Sequence, residues 1–360
     1  MNHNNRMSAR YIAHATRSLA GYAASEFLQA CPELAAHLGP GASERWRQVF
    51  VQLLEELSVA LFANRPEMFV EYAAWMGGLL RSRDLPDGGL ESAMQTLCAV
   101  LKAELPADTA AVAIDVCRES LGGLKPSAAA SDVPLSADTA NGRLACGYLL
   151  ALLEGDCDRA TRLILDAAEA GTPVAELYMN VLIPAQQEAG RMWHNAEINI
   201  AEEHFTTATT RSVMSRLAGY AVRKGPNGKT VLTSSVSGNQ HDLGMQAVAE
   251  FFGMDGWRVI QLGADLPMHD LAQAVSFYQA DLVGLSVTLR SQIPLLAKTI
   301  EAIRGTGRGE TVKILVGGRA FLGNTDLPGT LGADGYAPNP TEAVRIGNAL
   351  AGLTGEDTPR

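Results

Sequence analysis

At 360 residues the chain is long enough to bury more than one core, since single domains usually run to roughly 100–200 residues. A hydrophobic fraction of 47% and a charged fraction of 19% describe a folded globular protein. Its apolar runs are broken by charge before they reach membrane-spanning length, and the opening Met-Asn-His-Asn-Asn-Arg lacks an apolar signal segment, so a cytoplasmic location with no membrane partner is expected. A net charge of -10 argues against a basic face that tracks phosphates, and no direct nucleic-acid contact is expected.

From about Ser8 to Leu121 apolar residues recur at three- and four-residue spacing, as in the stretch from Trp46 to Leu54, and Pro66, Pro86 and Pro106 each stand where a helix can begin. Residues 1–122 therefore read as an all-helical domain. A linker follows over 123–137, rich in Gly, Ser, Ala and Pro, and Asp138 is the expected N-cap of the next helix. Residues 138–224 read as a four-helix bundle, with helices starting near Thr139, Asp156, Pro173 and Ile198.

After Lys224-Gly225-Pro226-Asn227-Gly228 the period changes. Short apolar runs at Thr230–Val236, Trp257–Gly263, Asp281–Val287 and Thr311–Gly318 alternate with helical segments, which predicts a parallel, doubly wound sheet over 225–360. The fold class is multidomain, α and α/β: an all-helical N-terminal domain, a four-helix cap bundle and a Rossmann-like, flavodoxin-like parallel sheet. The five cysteines, Cys31, Cys98, Cys117, Cys146 and Cys157, have no paired or zinc-ligand spacing and are expected to be reduced and mostly buried.

The chemistry-bearing residues fall at strand ends, where open parallel sheets bind ligands. His241 lies in the loop after the first strand, with Asn239 placed to take one ring N–H and Gly244 leaving the backbone open to a bulky planar group. Ser286 and Thr288 close the third strand and Gly317-Gly318 the fourth. Taken singly, each has an ordinary structural explanation as a cap or a turn.

Together they resemble the cobalamin-binding domain of methionine synthases, mutases and corrinoid carriers. Its Asp-x-His-x-x-Gly, Ser-x-Leu and Gly-Gly pattern is matched by Asn239-Gln240-His241-Asp242-Leu243-Gly244, Ser286-Val287-Thr288 and Gly317-Gly318. The resemblance runs from about Lys229 to Leu353, and the bundle before it resembles the helical cap that accompanies such domains. It implies that His241 replaces the cofactor's own base as lower cobalt ligand, with the nucleotide tail passing Ser286 and Gly317. Asn239 stands in place of an acid and Thr288 in place of Leu, and a neutral Asn is expected to weaken the bond from His241 to cobalt.

Within the cap, Trp193-His194 and, nine residues beyond Trp193, Glu203-His204 resemble the W-x9-EH motif of adenosylcobalamin-dependent photoreceptors. That resemblance implies a Trp193 lid over an adenosyl group, hydrogen bonding by Glu203, and a structural place for His204. It also implies that His194 becomes the upper cobalt ligand after light. A helical sensory domain in front of such a module resembles the globin-like domains and the photocobilins, which implies biliverdin as a second chromophore. The domain carries Trp46, Phe69, Tyr72, Trp75 and His14, a set that ordinary core packing also explains, and Arg45, Arg47, Arg81 and Arg83 could pair with propionates or simply line solvated faces, so no residue is assigned to a bilin site. The expected function is light sensing through adenosylcobalamin, with cap rearrangement signalling to an unknown protein partner and a change in a homo-oligomer, expected to be a dimer. The alternative is a corrinoid methyl carrier of a methyltransferase system, in which Trp193 would not set the upper ligand.

Overall fold

A computed structural model describes residues 3–83, 85, 88–122 and 135–353, and the chain divides into two compact units. Among the described residues the first unit holds the helices α1 (His3–Ala30), α2 (Pro32–Leu38), α3 (Ala42–Ala63), α4 (Pro66–Arg81), α5 (Gly89–Glu104) and α6 (Ala107–Gly122), joined by the segment Arg191–Glu197. Pro66 opens α4 at its first position, where a missing N–H costs nothing. The helix before it, α3, ends on Asn64 in the left-handed conformation (φ 56°), whose N–H returns to the carbonyls of Ala60 and Leu61. Pro86 and most of the predicted linker 123–137 lie outside the described residues.

This unit is held by a filled aromatic centre. Phe27 and Trp46 meet at 4.3 Å between ring centroids, and Phe50 lies edge-on to Phe27 at 5.9 Å. All three are buried, as is Phe69, and each such side chain contributes roughly 1.5–3 kcal/mol by leaving water. Around them α1 packs on α3, α5 and α6, while α4 packs on α3 and α6. Buried hydroxyls tie the helices crosswise: Ser8 donates to the Thr109 carbonyl at 2.9 Å and Ser58 to the Ala9 carbonyl at 2.9 Å.

The second unit begins with the bundle: α7 (Ala140–Leu153), α8 (Cys157–Glu169), α9 (Val174–Leu177), α10 (Ile183–His194, whose last turn belongs to the first unit) and α11 (Ile200–Leu217). The N-cap of α7 is Thr139 and not the predicted Asp138. The Thr139 hydroxyl accepts the Gly142 N–H at 2.9 Å, whereas the Asp138 carboxylate takes the Ser136 hydroxyl and is drawn away from the helix. Asp156 caps α8 as expected, and α11 starts with a full capping box between Asn199 and Glu202. Between α9 and α10 the chain widens into a π turn, Tyr178–Leu182. The cause is Pro184, which lacks the N–H that the Asn180 carbonyl would otherwise receive, so the helix passes it by loosening the turn just before.

The sheet follows. Its strands are β1 (Thr230–Val236), β2 (Arg258–Leu266), β3 (Leu282–Ser286), β4 (Lys313–Gly317) and β5 (Gly335–Ala337), all parallel and ordered β2-β1-β3-β4-β5. The crossovers are α12 (Leu243–Met254), α13 (Met268–Phe277), α14 (Ile293–Arg304) and α15 (Leu327–Thr330), and α16 (Pro340–Leu350) closes the domain. This is the flavodoxin-like order, with its topological switch between β1 and β3. Four strands were legible as apolar runs; β5, only three residues long and half-buried over two of them, was not. Val231, Phe252, Trp257, Leu282 and Leu315 form the core on one face of the sheet.

One further expectation, that of mostly buried thiols, is corrected. Of the five thiols only Cys117 is buried, and Cys157 is exposed because it opens α8 directly after its cap. Among the described residues no helix is long and apolar enough to cross a membrane.

Candidate functional site

His241 stands in the loop from β1 to α12, and Ser286 ends β3, so the two flank the switch point of the sheet. The loop is shaped by polar contacts from three directions. Asp265, on β2 with φ 57°, accepts the Gly238 N–H at 2.6 Å and the Ser237 hydroxyl at 3.2 Å. Gln292, just before α14, donates to the Gly238 carbonyl at 3.0 Å. Asn239 is completely buried at the centre: its Nδ2 donates to the Ser286 carbonyl at 3.2 Å and to Thr288 Oγ1 at 3.4 Å.

The other half of Asn239 faces His241. Its Oδ1 accepts the His241 backbone N–H at 3.1 Å and lies 3.3 Å from His241 Nδ1. A carbonyl oxygen only accepts, so Nδ1 carries the proton and Nε2 keeps its lone pair. Because the ring itself is exposed, that lone pair is offered to solvent, as a metal-ligating imidazole requires. The same geometry uses both ends of the amide. Nδ2 answers the Ser286 carbonyl, and a carboxylate at this place would set two acceptors against each other.

The ground beside and beneath the loop suits a bound group with a polar extension. Gly244, in the first turn of α12, has nothing within 4 Å of where a Cβ would stand. Thr233 and Ser235 lie on one face of β1, both buried, and neither Thr233 Oγ1 nor Ser235 Oγ finds a hydrogen-bond partner. Ser235 pairs in register with Ser286. At the next strand, Gly318 has φ 111° and would press a Cβ to 2.2 Å from the Val287 carbonyl oxygen, while a Cβ on Gly317 would come to 2.8 Å from the Ala337 carbonyl oxygen. The backbone at both positions passes where no side chain fits. A histidine with a fixed tautomer, an open glycine turn and orphaned hydroxyls in the sheet fit a metallo-macrocycle held from below.

Next to His241, Asp242 pairs with Arg211 of α11 at 2.6 Å, a contact that spacing alone did not bring forward. In sequence the two stand 31 residues apart with a domain transition between them. Leu243 is half-buried as the first residue of α12.

The motif residues of the cap fall in both units. Glu203 is half-buried on α11, where its carboxylate accepts the Thr207 hydroxyl at 3.0 Å and lies 2.9 Å from Nδ1 of the exposed His204. Thr207 lies in turn 3.2 Å from Gln186 Oε1, and Gln186 Nε2 donates to Thr210 Oγ1 at 2.8 Å, which meets the buried Tyr148 hydroxyl at 2.8 Å. A polar chain thus runs from the bundle core to Glu203. Burial pushes the Tyr148 phenol well above its ordinary range.

Trp193 and His194 belong to the first unit. His194 Nε2–H donates to the Trp75 carbonyl at 3.1 Å, and the two rings lie 5.0 Å apart. Ser82 donates to the His194 carbonyl at 2.8 Å, and Arg83 donates to the carbonyls of His194 and Trp193, each at 3.1 Å, with its guanidinium 5.1 Å from the Trp193 ring centroid. These contacts satisfy the last carbonyls of α10. Beyond them, Arg191 holds the Glu197 carboxyl below its usual range through a hydrogen bond at 2.8 Å.

The aromatic and basic residues that accompany the bilin expectation lie in different surroundings. Trp46 and Phe69 are core, Tyr72 and Trp75 are half-buried, and His14, Arg45 and Arg81 are exposed. Arg47 is paired with Glu44, and Arg83 is engaged at α10. A groove of about 440 Å³ does exist in this unit, but Tyr11, Ala15, Ser18, Leu19, Tyr22, Glu104 and Leu105 line it. Trp46 on α3 and Phe69 on α4 are buried core residues, which packing alone explains.

The second unit is similar to known proteins. The B12 binding domain family matches residues 229–345, and a second family of the same description matches residues 145–218. The chain is 25% identical over 209 residues to a corrinoid protein of Desulfitobacterium hafniense, covering 56% of this chain and 94% of that one. It is 30% identical over 114 residues to dimethylamine corrinoid protein 1 of Methanosarcina acetivorans, covering 32% of this chain and 53% of the relative. Among solved structures, the monomethylamine corrinoid protein of Methanosarcina barkeri shares its fold, with a TM-score of 0.52 at 20% identity over 59% of this chain and 99% of that chain. The bundle and sheet are therefore cobalamin-binding domains, and residues before 145 lie outside both family matches.

Proposed function

We propose that the chain is a corrinoid-binding protein in which His241 Nε2 ligates cobalt from below, and that it works as a carrier, presenting a cobalt-bound carbon group to a partner enzyme. The observation that carries the reading is the Asn239–His241 pair, which leaves one imidazole lone pair exposed at the switch point of the sheet. Relatives named as dimethylamine and monomethylamine corrinoid proteins support the carrier role over others. When bound, the corrinoid would supply a cobalt-bound carbon group that a nucleophile can accept, breaking the cobalt–carbon bond, or that light can release. The protein's share is to hold the ring: Asn239 orients His241, while Ser235, Thr233 and Ser286 offer hydroxyls to the tail past Gly317 and Gly318.

A second reading, light sensing with adenosylcobalamin, is favoured by a separate observation. Trp193 and Glu203 keep the spacing of the photoreceptor motif, and the Trp193–His194 corner is gripped by helices from the first unit. A methyl group asks for neither an indole lid nor a helical domain attached to it. In this reading the N-terminal helices and a protein partner or second copy take the signal, and no bilin is invoked.

One set of spectra separates the two. The full chain is loaded with methylcobalamin and, separately, adenosylcobalamin, and each sample is recorded in the dark and after green illumination. A carrier binds the methyl form at least as well as the adenosyl form, and Trp193→Ala leaves that preference unchanged. A light sensor prefers the adenosyl form and loses the preference in Trp193→Ala. Both readings fall if His241→Ala leaves the spectrum of the bound corrinoid and its affinity unaltered.

A further inference from the structure

Asp242 is the N-cap of α12, and its backbone carbonyl accepts the Gln246 N–H at 2.8 Å to open the helix. An aspartate in that position ordinarily turns its carboxylate back onto the first free N–H groups of its own helix. Here it makes no such bond. The carboxylate reaches out of the sheet domain to the Arg211 guanidinium at 2.6 Å. The helix start forgoes its cap so that the residue beside His241 can be held by the bundle.

Arg211 sits on α11 four residues after Thr207 and eight after Glu203, so the three share one stripe of the helix. Among the described residues the other polar restraints on the His241 loop come from the sheet domain itself, through Asn239 with Ser286 and Thr288, Asp265 and Gln292. Arg211 differs in coming from the cap. With its side chain 43% exposed, the pair adds little to stability, and its value lies in where it puts Asp242.

We infer that Arg211 is a positioning residue for His241, tethering the lower-ligand loop to cap helix α11 so that displacement of the bundle loosens the histidine below. The inference rests on the reading of His241 as a cobalt ligand, and it extends that reading from the sheet to the cap. Linkage makes the effect mutual: a corrinoid seated on His241 also favours the docked position of α11.

The test uses the full chain with Arg211→Gln, Asp242→Asn, the double variant, and Arg211→Lys as the conservative replacement. In the cofactor-free protein, amide hydrogen exchange over 237–246 reports the tether directly, and it should quicken in both single variants with thermal midpoints held. In protein labelled with 15N-histidine and loaded with cob(II)alamin, a doublet nitrogen splitting in the electron paramagnetic resonance spectrum reports histidine ligation, whereas the cofactor's own base gives a triplet. Its His-on to His-off ratio should fall on the order of tenfold, the low end of what outer partners of a ligating histidine contribute. The double variant should be no worse than either single one, and Arg211→Lys should recover part of the signal. Unchanged exchange together with an unchanged splitting overturns the inference, as does full additivity in the double variant. If the unaltered protein shows no doublet from labelled histidine, the reading of His241 fails instead, and the exchange arm still decides whether the tether exists. Should Arg211→Gln fail to fold, Asp242→Asn and Arg211→Lys carry the same comparison.

Discussion

The N-terminal helical unit and the sheet domain are both rich in buried side chains, yet they bury different things. In the helical unit the interior is Phe27, Trp46, Phe50 and Phe69 in mutual contact, with buried Ser8 and Ser58 each answered by a backbone carbonyl. In the sheet domain the carboxyl ends of β1 and β3 bury Thr233, Ser235 and Asn239, of which the first two have unanswered hydroxyls. A folded chain rarely leaves a buried hydroxyl unanswered unless something else is to meet it. Unanswered buried polar atoms occur in both regions, Trp46 Nε1 and Asn5 Oδ1 among them, so it is the pairing of two unanswered hydroxyls on the strand that leads to His241, and not orphan status alone, that points to a site.

That contrast can be broken most forcefully at Trp46. Replacing it with Ala empties the centre of the helical unit and should cost about 3–5 kcal/mol there, while corrinoid affinity stays unchanged. Denaturant unfolding followed in parallel with cobalamin titration checks both halves; a large loss of affinity would mean that the two units do not divide the work as their interiors imply. The converse substitution is Asn239→Ala, which should lower corrinoid affinity by about 10–100-fold through loss of the His241 tautomer. Binding titration with hydroxocobalamin reads it, and Asn239→Asp should not improve on the native residue because the Ser286 carbonyl then loses its donor.

The smallest effect sharpens the comparison where the two kinds of region meet in sequence. Arg83→Ala removes the donor that holds the Trp193 and His194 carbonyls, a helix-end contact worth about 0.3–1 kcal/mol. Amide exchange over 191–198 should quicken accordingly, with the thermal midpoint barely moved. Protection unchanged in that variant would show that Ser82 and the Trp75 carbonyl hold the corner without Arg83.

Much of the fold was legible because its signals are local. The change from helical to strand periodicity after Gly228, the strand Thr230–Val236, and the starts at Pro66 and Asp156 all follow from spacing and capping within a few residues. Strand β5 was missed because three residues carry no period, and the π turn was missed because Pro184 acts through the turn before it. Asp138 misled because two adjacent residues can both cap, and only the contact with Ser136 decides between them. For the site, His241, Asn239 and the glycine pair were visible through motif and position, while Arg211 was not. No periodicity links a residue in mid-helix to a loop beyond the next strand.

By itself the sequence determined which residue types stand at which strand ends, and with them a histidine, a flanking amide and a pair of glycines suited to a corrinoid, because those choices are dictated by backbone geometry near each position. Tertiary structure decided what each one touches. It showed that Asn239 spends one end on His241 and the other on β3, that Asp242 gives up its own helix for α11, and that the corner bearing Trp193 and His194 packs with the N-terminal helices. Those contacts join segments distant in the chain, and their energies depend on distance and burial, which no local pattern encodes.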